Sequence, residues 1–508
     1  MSKPVLIEHN AIIKDLRTVD VLVGFCYPST YRAGMTGLAT HLFYGILNGR
    51  DDTSCERYFR YDVPSPVKSV ETGRQLSENH IVAFSLTWEE DILNLVQMLE
   101  MSNINAMSSK RGEDSPLVIA GGPVVSANPE PYVDFIDAFA IGEGDLVIHD
   151  IVDAAQASSS KSECLDNLAN IRGIYVPSFE PSNVERIIMP ELDPLFHPTA
   201  QIIPEVPEES KMEPVFGKAL LVEVTRGCGH SCKFCLVGHI CRPRRVRSLG
   251  ILKKIVEDGL TKTPVRKVAL IGSSLGDLDG LEDFAHWVVN QDIELSAPSL
   301  RADTVSERLL TALVQGGQRT LTIAPEAGSP ELRKSMGKGL DNSEIEEAIA
   351  LAAKSGYRAA KLYFIIGLPG ETDEDVAEIA RLTSKLAASS GLKVTASVNP
   401  FVPKAHTRWQ REGQIPLEEM RRRLKLIEKE LRSKPRVVLE GSDPRSARVQ
   451  AALSLGDRTL GPVIHQASVQ GGFGGWRRAE RETGVPFFSI ANDKERLQRS
   501  LPWSFISS

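Results

Sequence analysis

Between about residues 18 and 150, short apolar runs alternate with stretches whose apolar residues recur every three to four positions. "VDVLVGF", "IVAFSLT" and "LVIAGGP" are short, rich in β-branched side chains and bounded by turn residues, the pattern of buried strands. "GLATHLFYGILN" and "DILNLVQMLEMS" carry helical spacing. Strands alternating with helices predict a parallel sheet covered on both faces, a doubly wound, Rossmann-like α/β domain. A polar, proline-rich stretch from about 155 to 210 ("SSSKSE", "PSFEPSN", "IIPEVPEESK") reads as a connector with a little extra strand structure.

A second alternating series runs from about 215 to 410. Its strands are "ALLVEVTRG", "KVALIGSS", "IELSAPSL", "TLTIAPE", "AAKLYFIIGLP" and "KVTASVNPFVP", with helices such as "RLLTALVQGG" and "EIEEAIALAAKSGY" between them. Six β/α repeats predict a partial (β/α)6 barrel, where eight would close one, with chemistry at the C-terminal strand ends. The remainder opens with "LEEMRRRLKLIEKELRSK", an amphipathic helix whose basic face reads as solvated rather than nucleic-acid binding. It ends on "SLPWSFI", an apolar tail expected to dock back onto the fold. The expected boundaries are 1–205, 206–410 and a small α/β C-terminal domain at 411–508. A chain of 508 residues is too long for one core, which agrees with this division.

Composition narrows the function classes. A net charge of −7 gives no global reason to bind nucleic acid or anionic lipid. The start, MSKPVLIEHNAIIKDLRTVD, lacks the apolar core and cleavage site of a secretory signal, and no run of about 18 apolar residues occurs. A cytoplasmic protein is the expectation. Seven cysteines is an odd count without disulfide-scaffold density, so a cluster of them suggests metal or catalysis. Cys26, Cys55 and Cys164 stand alone and read as small buried hydrophobes. The other four crowd into "TRGCGHSCKFCLVGHICRP", directly after the first barrel strand. Cys228-x-x-x-Cys232-x-x-Cys235 can wrap one soft metal centre, and three local ligands leave one iron of a four-iron cluster open to a substrate. His230 and His239 make zinc conceivable, though its usual knuckles have other spacing. Cys241, set apart by "LVGHI" and followed closely by proline, reads as a spectator.

CxxxCxxC after the first strand of a βα barrel, with an aromatic (Phe234) before the third cysteine, resembles the radical S-adenosylmethionine (SAM) superfamily. The resemblance implies a four-iron, four-sulfur (4Fe-4S) cluster on Cys228, Cys232 and Cys235 whose open iron binds SAM, which is then cleaved to a 5′-deoxyadenosyl radical. Later strand ends match in order. "LIGSSLGD" supplies Gly272, Ser273 and Ser274 for the SAM amino group. "SAPSLRAD" supplies Ser299 and Arg301 near the ribose. "TIAPEAGSPELRKSMGK" supplies Glu326 and Arg333 for polar groups, an arginine fork suiting a carboxylate. "YFIIGLPGET" supplies Ile366 and Gly367, and "NPFVPKAHT" supplies Phe401 and Val402, near adenine. Each alone is equally well a strand-end packing residue; six strand ends in register are harder to set aside.

The first domain resembles the cobalamin-binding domain found ahead of many radical SAM barrels. The resemblance implies a nucleotide-tail pocket lined by Ser85 and Thr87, by Gly121, Gly122 and Pro123, and by the loop of Gly142, Glu143 and Gly144. The DxHxxG histidine of the classical cobalamin fold is missing from "GFCYPSTYRAGMTGL", so the cobalt's lower face is unassigned among Tyr27, Tyr31 and Arg32. A plain doubly wound domain without ligand is the alternative. Together the features imply a cobalamin-dependent radical SAM methyltransferase acting on an unactivated sp3 carbon, with an external electron donor. The chain as a whole resembles archaeal enzymes that C-methylate a glutamine of methyl-coenzyme M reductase, which implies a protein or peptide substrate seated in part by Arg421 to Arg423. The rivals are a cobalamin-dependent radical SAM cyclase or rearrangement enzyme, a methylthiotransferase with a second cluster, and a cobalamin- or redox-sensing protein without turnover.

Overall fold

The computed structural model describes residues 6–61, 67–179 and 183–507. The first residues of the N-terminal stretch and part of "PSFEPSN" lie outside them. The first domain is built on a six-stranded sheet of β1 (Val21–Thr30), β2 (Thr53–Tyr61), β3 (Ile81–Ser85), β4 (Leu117–Gly121), β5 (Ala138–Ala140) and β6 (Ile174–Tyr175). Its order is β2-β1-β3-β4-β5-β6, parallel except for the last pair. The strands are apolar on both faces because both faces are covered. Cys26, Val82, Phe84 and Val118 pack against the helix Asp91–Met101. Val23, Phe25, Ala83 and Ile119 pack on the other side against helices Leu38–Asn48 and Ile148–Ala157. The strand order reverses between β1 and β3, and in open α/β sheets that reversal opens a ligand crevice at the strand C-termini.

The second sheet system comprises β7 (Leu220–Glu223), β8 (Lys267–Ile271) and β9 (Glu294–Ser296), then β10 (Thr320–Glu326), β11 (Ala359–Ile366) and β12 (Lys393–Pro400), all parallel within each group. A parallel bridge between Leu300 and Ile323 joins the two groups into one open arc. Leu362, Phe364, Val394 and Val398 face the helical layer. Helix starts are encoded locally: Thr372 and Asp375 form a reciprocal capping box at the head of Asp373–Ser390.

The last hundred residues add a seventh parallel strand, β13 (Val437–Glu440), beside β12. Their helices Pro444–Leu455 and Gly461–Gln470 share one core with Leu95, Val96 and Met98 of the first domain. Gln97 Nε2 donates to the Ser468 carbonyl at 2.8 Å. Asn128 Nδ2 donates to the Ser454 and Gly456 carbonyls at 3.1 and 2.8 Å. The apolar tail docks as its composition suggests: Trp503 and Ile506 are buried, and Ile506–Ser507 pairs with Val184–Glu185. The three arginines of the basic helix are engaged in ion pairs, while Lys425 and Lys429 remain exposed on it. Arg422 pairs with Asp373 at 2.5 Å and Glu419 at 2.7 Å, Arg423 with Glu371 and Glu419, and Arg421 with Glu418 at 3.0 Å. Arg422 and Arg423 tie the helix to the loop after β11 through Asp373 and Glu371, whereas Arg421 pairs within its own helix and stays partly exposed.

Candidate functional site

The cysteine loop leaves β7 and returns through a two-residue antiparallel pairing, Arg226 opposite Arg245 and Thr225 opposite Val246. This neck closes a loop carrying all four clustered cysteines. Gly227, at φ 77°, makes the closure possible, because a Cβ there would lie 2.0 Å from the Cys241 carbonyl oxygen. The loop is pinned on its far side by Lys233 N donating to the Met336 carbonyl (2.9 Å) and Trp409 N donating to the Lys233 carbonyl (3.1 Å). Phe234 packs beneath it against Ala327, Leu332, Met336, Leu368, Phe401 and Trp409. The expected adenine residue Phe401 therefore lies in the apolar bed of the loop, its ring edge-on to Trp409 at 5.8 Å.

Burial pushes the Cys232 and Cys235 thiols up; Lys338 and Arg301 pull Cys232 back down, while Glu326 raises both. Cys228 Sγ lies 3.1 Å from Ser274 Oγ, so the end of β8 meets the loop as expected, with Ser274 left-handed at φ 52°. The preceding Gly272 and Ser273 complete that strand end, Thr225 Oγ1 donating to the Ser273 carbonyl at 2.7 Å. No three Cys, His, Asp or Glu side chains among the described residues converge at single-ion distance. A four-iron cluster asks for something else, one thiolate on each of three separate irons, and three unpaired thiols on one wrapped loop fit that need. The absence of a single-ion convergence leaves the zinc alternative without a ligand set among the described residues, although His230 Nε2 faces Asp277 at 2.9 Å and His239 Nδ1 the Cys235 carbonyl at 2.7 Å, each with its other ring nitrogen uncommitted by these contacts.

Glu326 occupies the left-handed region, φ 73°, at a bulge where β10 loses register with β11. Its carboxyl is pushed up by burial and drawn back by Lys338, whose Nζ stands 3.3 Å away. Arg301 pairs with Asp303 at 2.7 Å and reaches toward the Lys338 carbonyl at 3.4 Å. Lys338 is thus a site residue that the sequence reading passed over. Its signal was the flanking Gly337 and Gly339, both at positive φ. Arg333 is a correction. Its guanidinium is fully buried, with Nε donating to the Leu340 carbonyl at 2.6 Å, Nη1 to those of Ala327 and Gly328 at 2.9 Å, and Nη2 to Asn342. A fork wholly committed to its own loop holds no ligand carboxylate. Gly367 N is likewise engaged, donating to Glu371 Oε2 at 2.5 Å, while Ile366 is buried, Val402 half-buried and Ser299 exposed.

In the first domain a largely apolar cavity of about 310 Å³ opens at the C-terminal ends of β3, β4 and β5. Ser85, Thr87, Gly121, Gly122, Pro123 and Gly142 line it, along with Phe25, Phe43 and Asp145. Gly142, at φ 110°, could carry no side chain, since a Cβ would lie 2.2 Å from the Ile187 carbonyl oxygen. Glu143 corrects the expectation. Its carboxylate is outside the cavity lining and accepts from Arg245 Nη1 at 2.5 Å and from the Met189 amide at 3.1 Å, with Arg226 Nη1 3.2 Å away. Of the three side chains weighed for the cobalt's lower face, Tyr31 is fully buried and donates to Glu8 at 2.5 Å, away from the mouth. Arg32 is exposed. Tyr27 OH sits 2.9 Å from Oγ1 of Thr87, which lines the cavity, without lining it itself. On the barrel side the cavity is walled by Glu223 and Arg226, so it ends two residues before Cys228. The cavity wall and the neck of the cysteine loop thus share Arg226.

These features agree with what the chain resembles. Residues 222–383 match the model described as "Radical SAM superfamily", and 39–177 that described as "Radical SAM proteins, N-terminal". The chain belongs to the radical SAM superfamily. An uncharacterized protein of Methanocaldococcus jannaschii is 31% identical over 89% of this chain and 92% of its own. An uncharacterized methyltransferase of Pyrococcus horikoshii is 25% identical over 55% of this chain and 60% of its own. A tRNA-2-methylthio-N(6)-dimethylallyladenosine synthase of Bdellovibrio bacteriovorus is 24% identical over 41% and 47%. In fold the chain is similar to the radical SAM methyltransferase TsrM of Kitasatospora setae, a structure with cobalamin and a 4Fe-4S cluster bound. The TM-score is 0.57 at 12% identity, covering 92% of this chain and 99% of that one.

Proposed function

We propose that this protein is a cobalamin-dependent radical SAM C-methyltransferase. The observation that carries the reading is the cavity of the first domain, whose wall includes Arg226, two residues before Cys228. A spectator domain would have no reason to end a glycine-lined crevice against the neck of the cysteine loop. Bound there, the cluster with SAM supplies hydrogen abstraction and cobalamin supplies the methyl group, chemistry that acid–base side chains cannot provide at an sp3 carbon. The chain's own task is placement. Cys228, Cys232 and Cys235 hold the cluster, with Phe234 and its apolar bed fixing the loop. Arg301, Glu326 and Lys338 present paired charge for the polar groups of SAM. Gly121, Gly122 and Gly142 let a bulky tail approach the backbone, and Thr87, held by Tyr27 OH at 2.9 Å, lines the same cavity.

The finer reading is methyl transfer to a glutamine of methyl-coenzyme M reductase, a protein substrate, with electrons from an external donor. What supports it is the overall resemblance of the chain. The methylthiotransferase alternative needs a second cluster on the remaining cysteines. Cys26 lies in the core on one face of the first sheet, Cys55 and Cys164 in the core on the other, and the three do not converge on one site, which weighs against it.

The test is anaerobic reconstitution with iron, sulfide and hydroxocobalamin, desalting, and metal quantification. One cobalt and about four irons per chain are expected; about eight irons would favour the methylthiotransferase, and iron without cobalt would reduce the first domain to a scaffold. Alanine at Cys228, Cys232 or Cys235 should abolish the iron, and alanine at Cys241 should keep it. Product mass then separates methyl transfer from cyclisation.

A further inference from the structure

Arg226 and Arg245 stand directly opposite each other on the two strands of the cysteine loop's neck. Like charges facing across a strand pair repel, so carboxylates between them favour the closed neck. Glu143 of the first domain is the carboxylate placed to serve both: Oε1 accepts from Arg245 Nη1 at 2.5 Å and Oε2 lies 3.2 Å from Arg226 Nη1. Asp145 shares Arg226 Nη1 with Glu143, accepting at 3.1 Å, and Glu223 takes Nε at 3.0 Å and Nη2 at 3.1 Å. Arg245 also donates to the Cys241 carbonyl at 3.1 Å, at the loop's far end.

The segment bearing Glu143 is at the same time part of the cavity wall. Gly142, Gly144 and Asp145 line the cavity, and so do Glu223 and Arg226. The backbone of Glu143 is fixed by its amide donating to the Ile187 carbonyl at 2.9 Å. A ligand pressed against residues 142–145 therefore holds in place the carboxylate that closes the neck, and a closed neck holds Arg226 in the cavity wall. We propose that Glu143 is a positioning residue that makes cobalamin binding and cluster binding cooperative. This rests on the cobalamin reading above. Linkage requires the effect to be reciprocal.

The experiment titrates hydroxocobalamin by visible absorbance into the full-length protein, with the cluster reconstituted and with it stripped by a chelator, for wild type, Glu143→Gln and Arg245→Lys. In the wild type the cluster should tighten cobalamin binding at least about fivefold. Glu143→Gln, isosteric but uncharged, should bring that ratio close to one. In parallel, bound cobalamin should slow chelator removal of iron in the wild type and not in the variant. A merely structural ion pair would weaken both titrations alike and leave the ratio intact. An unchanged ratio in Glu143→Gln, or a wild-type ratio of one, overturns the inference while the cobalamin reading stands. Should Glu143→Gln fail to fold, Arg245→Lys reads the same ratio through the other side of the neck. No cobalamin binding by either wild-type form would overturn the cobalamin reading itself, and the inference with it.

Discussion

Gly121 and Gly122 are neighbours at the end of β4 and both line the first domain's cavity, yet their surroundings differ sharply. At Gly122, φ is 107° and a Cβ would lie 2.5 Å from the Leu86 carbonyl oxygen and 3.1 Å from its carbonyl carbon. Leu86 N donates to the Gly121 carbonyl at 2.9 Å, so that backbone is held in place and cannot yield cheaply. Forcing alanine into this conformation costs about 1–3 kcal/mol. Overpacking against fixed backbone adds about 1–3 kcal/mol. The sum, about 2–6 kcal/mol, is a large part of a typical stability of about 5–15 kcal/mol. At Gly121 the nearest atom to a Cβ is that of Ala140, 3.8 Å away, an ordinary contact, with the rest of the methyl facing the cavity. Gly121→Ala should fold at least as well as wild type, gaining up to about 1 kcal/mol through reduced chain entropy. It should still lose at least about tenfold in cobalamin affinity, roughly 1.4 kcal/mol. Urea unfolding followed by circular dichroism reads the first effect and an absorbance titration the second. If Gly122→Ala unfolds at the wild-type urea concentration, or Gly121→Ala binds cobalamin like wild type, the assignment of this glycine pair to the tail pocket is wrong.

Two further outcomes follow from charges that the fold has buried. Burial pushes the Asp91 carboxyl from 3.8 up to about 7, with Glu90 and Glu89 adding to it and only Asn94 opposing. A carboxyl raised in the folded state binds its proton more tightly there than in the unfolded chain. Its contribution is full below about pH 4 and is lost as pH rises through 7. At about 1.4 kcal/mol per tenfold difference the loss is at most roughly 4 kcal/mol. The helix amino terminus that Asp91 heads makes the true figure smaller. Asp91→Asn should therefore gain stability over wild type between pH 5 and 8 in urea titrations; a constant difference across that range would refute the burial argument. Arg333→Met leaves the carbonyls of Leu340, Ala327 and Gly328 and the amide of Asn342 unserved. At about 1 kcal/mol each this costs about 3–4 kcal/mol of stability. Equilibrium dialysis of SAM on the folded, cluster-loaded fraction should give the wild-type dissociation constant, and a tenfold loss there would restore Arg333 to the ligand site.

The hydrophobic pattern by itself set the strands and helices of both α/β units, because a doubly covered parallel strand must be apolar on both faces and "VLVGF", "IVAFS" and "LVIAG" announce that directly. Local spacing placed Cys228, Cys232 and Cys235 on one loop, and glycines needing positive φ marked the cavity at Gly122 and Gly142. Partnership was not legible, because a charged side chain's role depends on what the fold brings within about 3 Å of it. Glu143 looked like a ligand contact and became the clasp of the cysteine loop, across 102 residues to Arg245. Arg333 looked like a carboxylate fork and was absorbed by its own carbonyls, while the unremarked Lys338 came to Glu326. The short β13 and the helices after it had no pattern that named their partners. The barrel edge at β12 and the apolar flank of Asp91–Met101 claimed them, since unpaired strand edges and exposed apolar faces are satisfied only by whatever the tertiary structure sets against them.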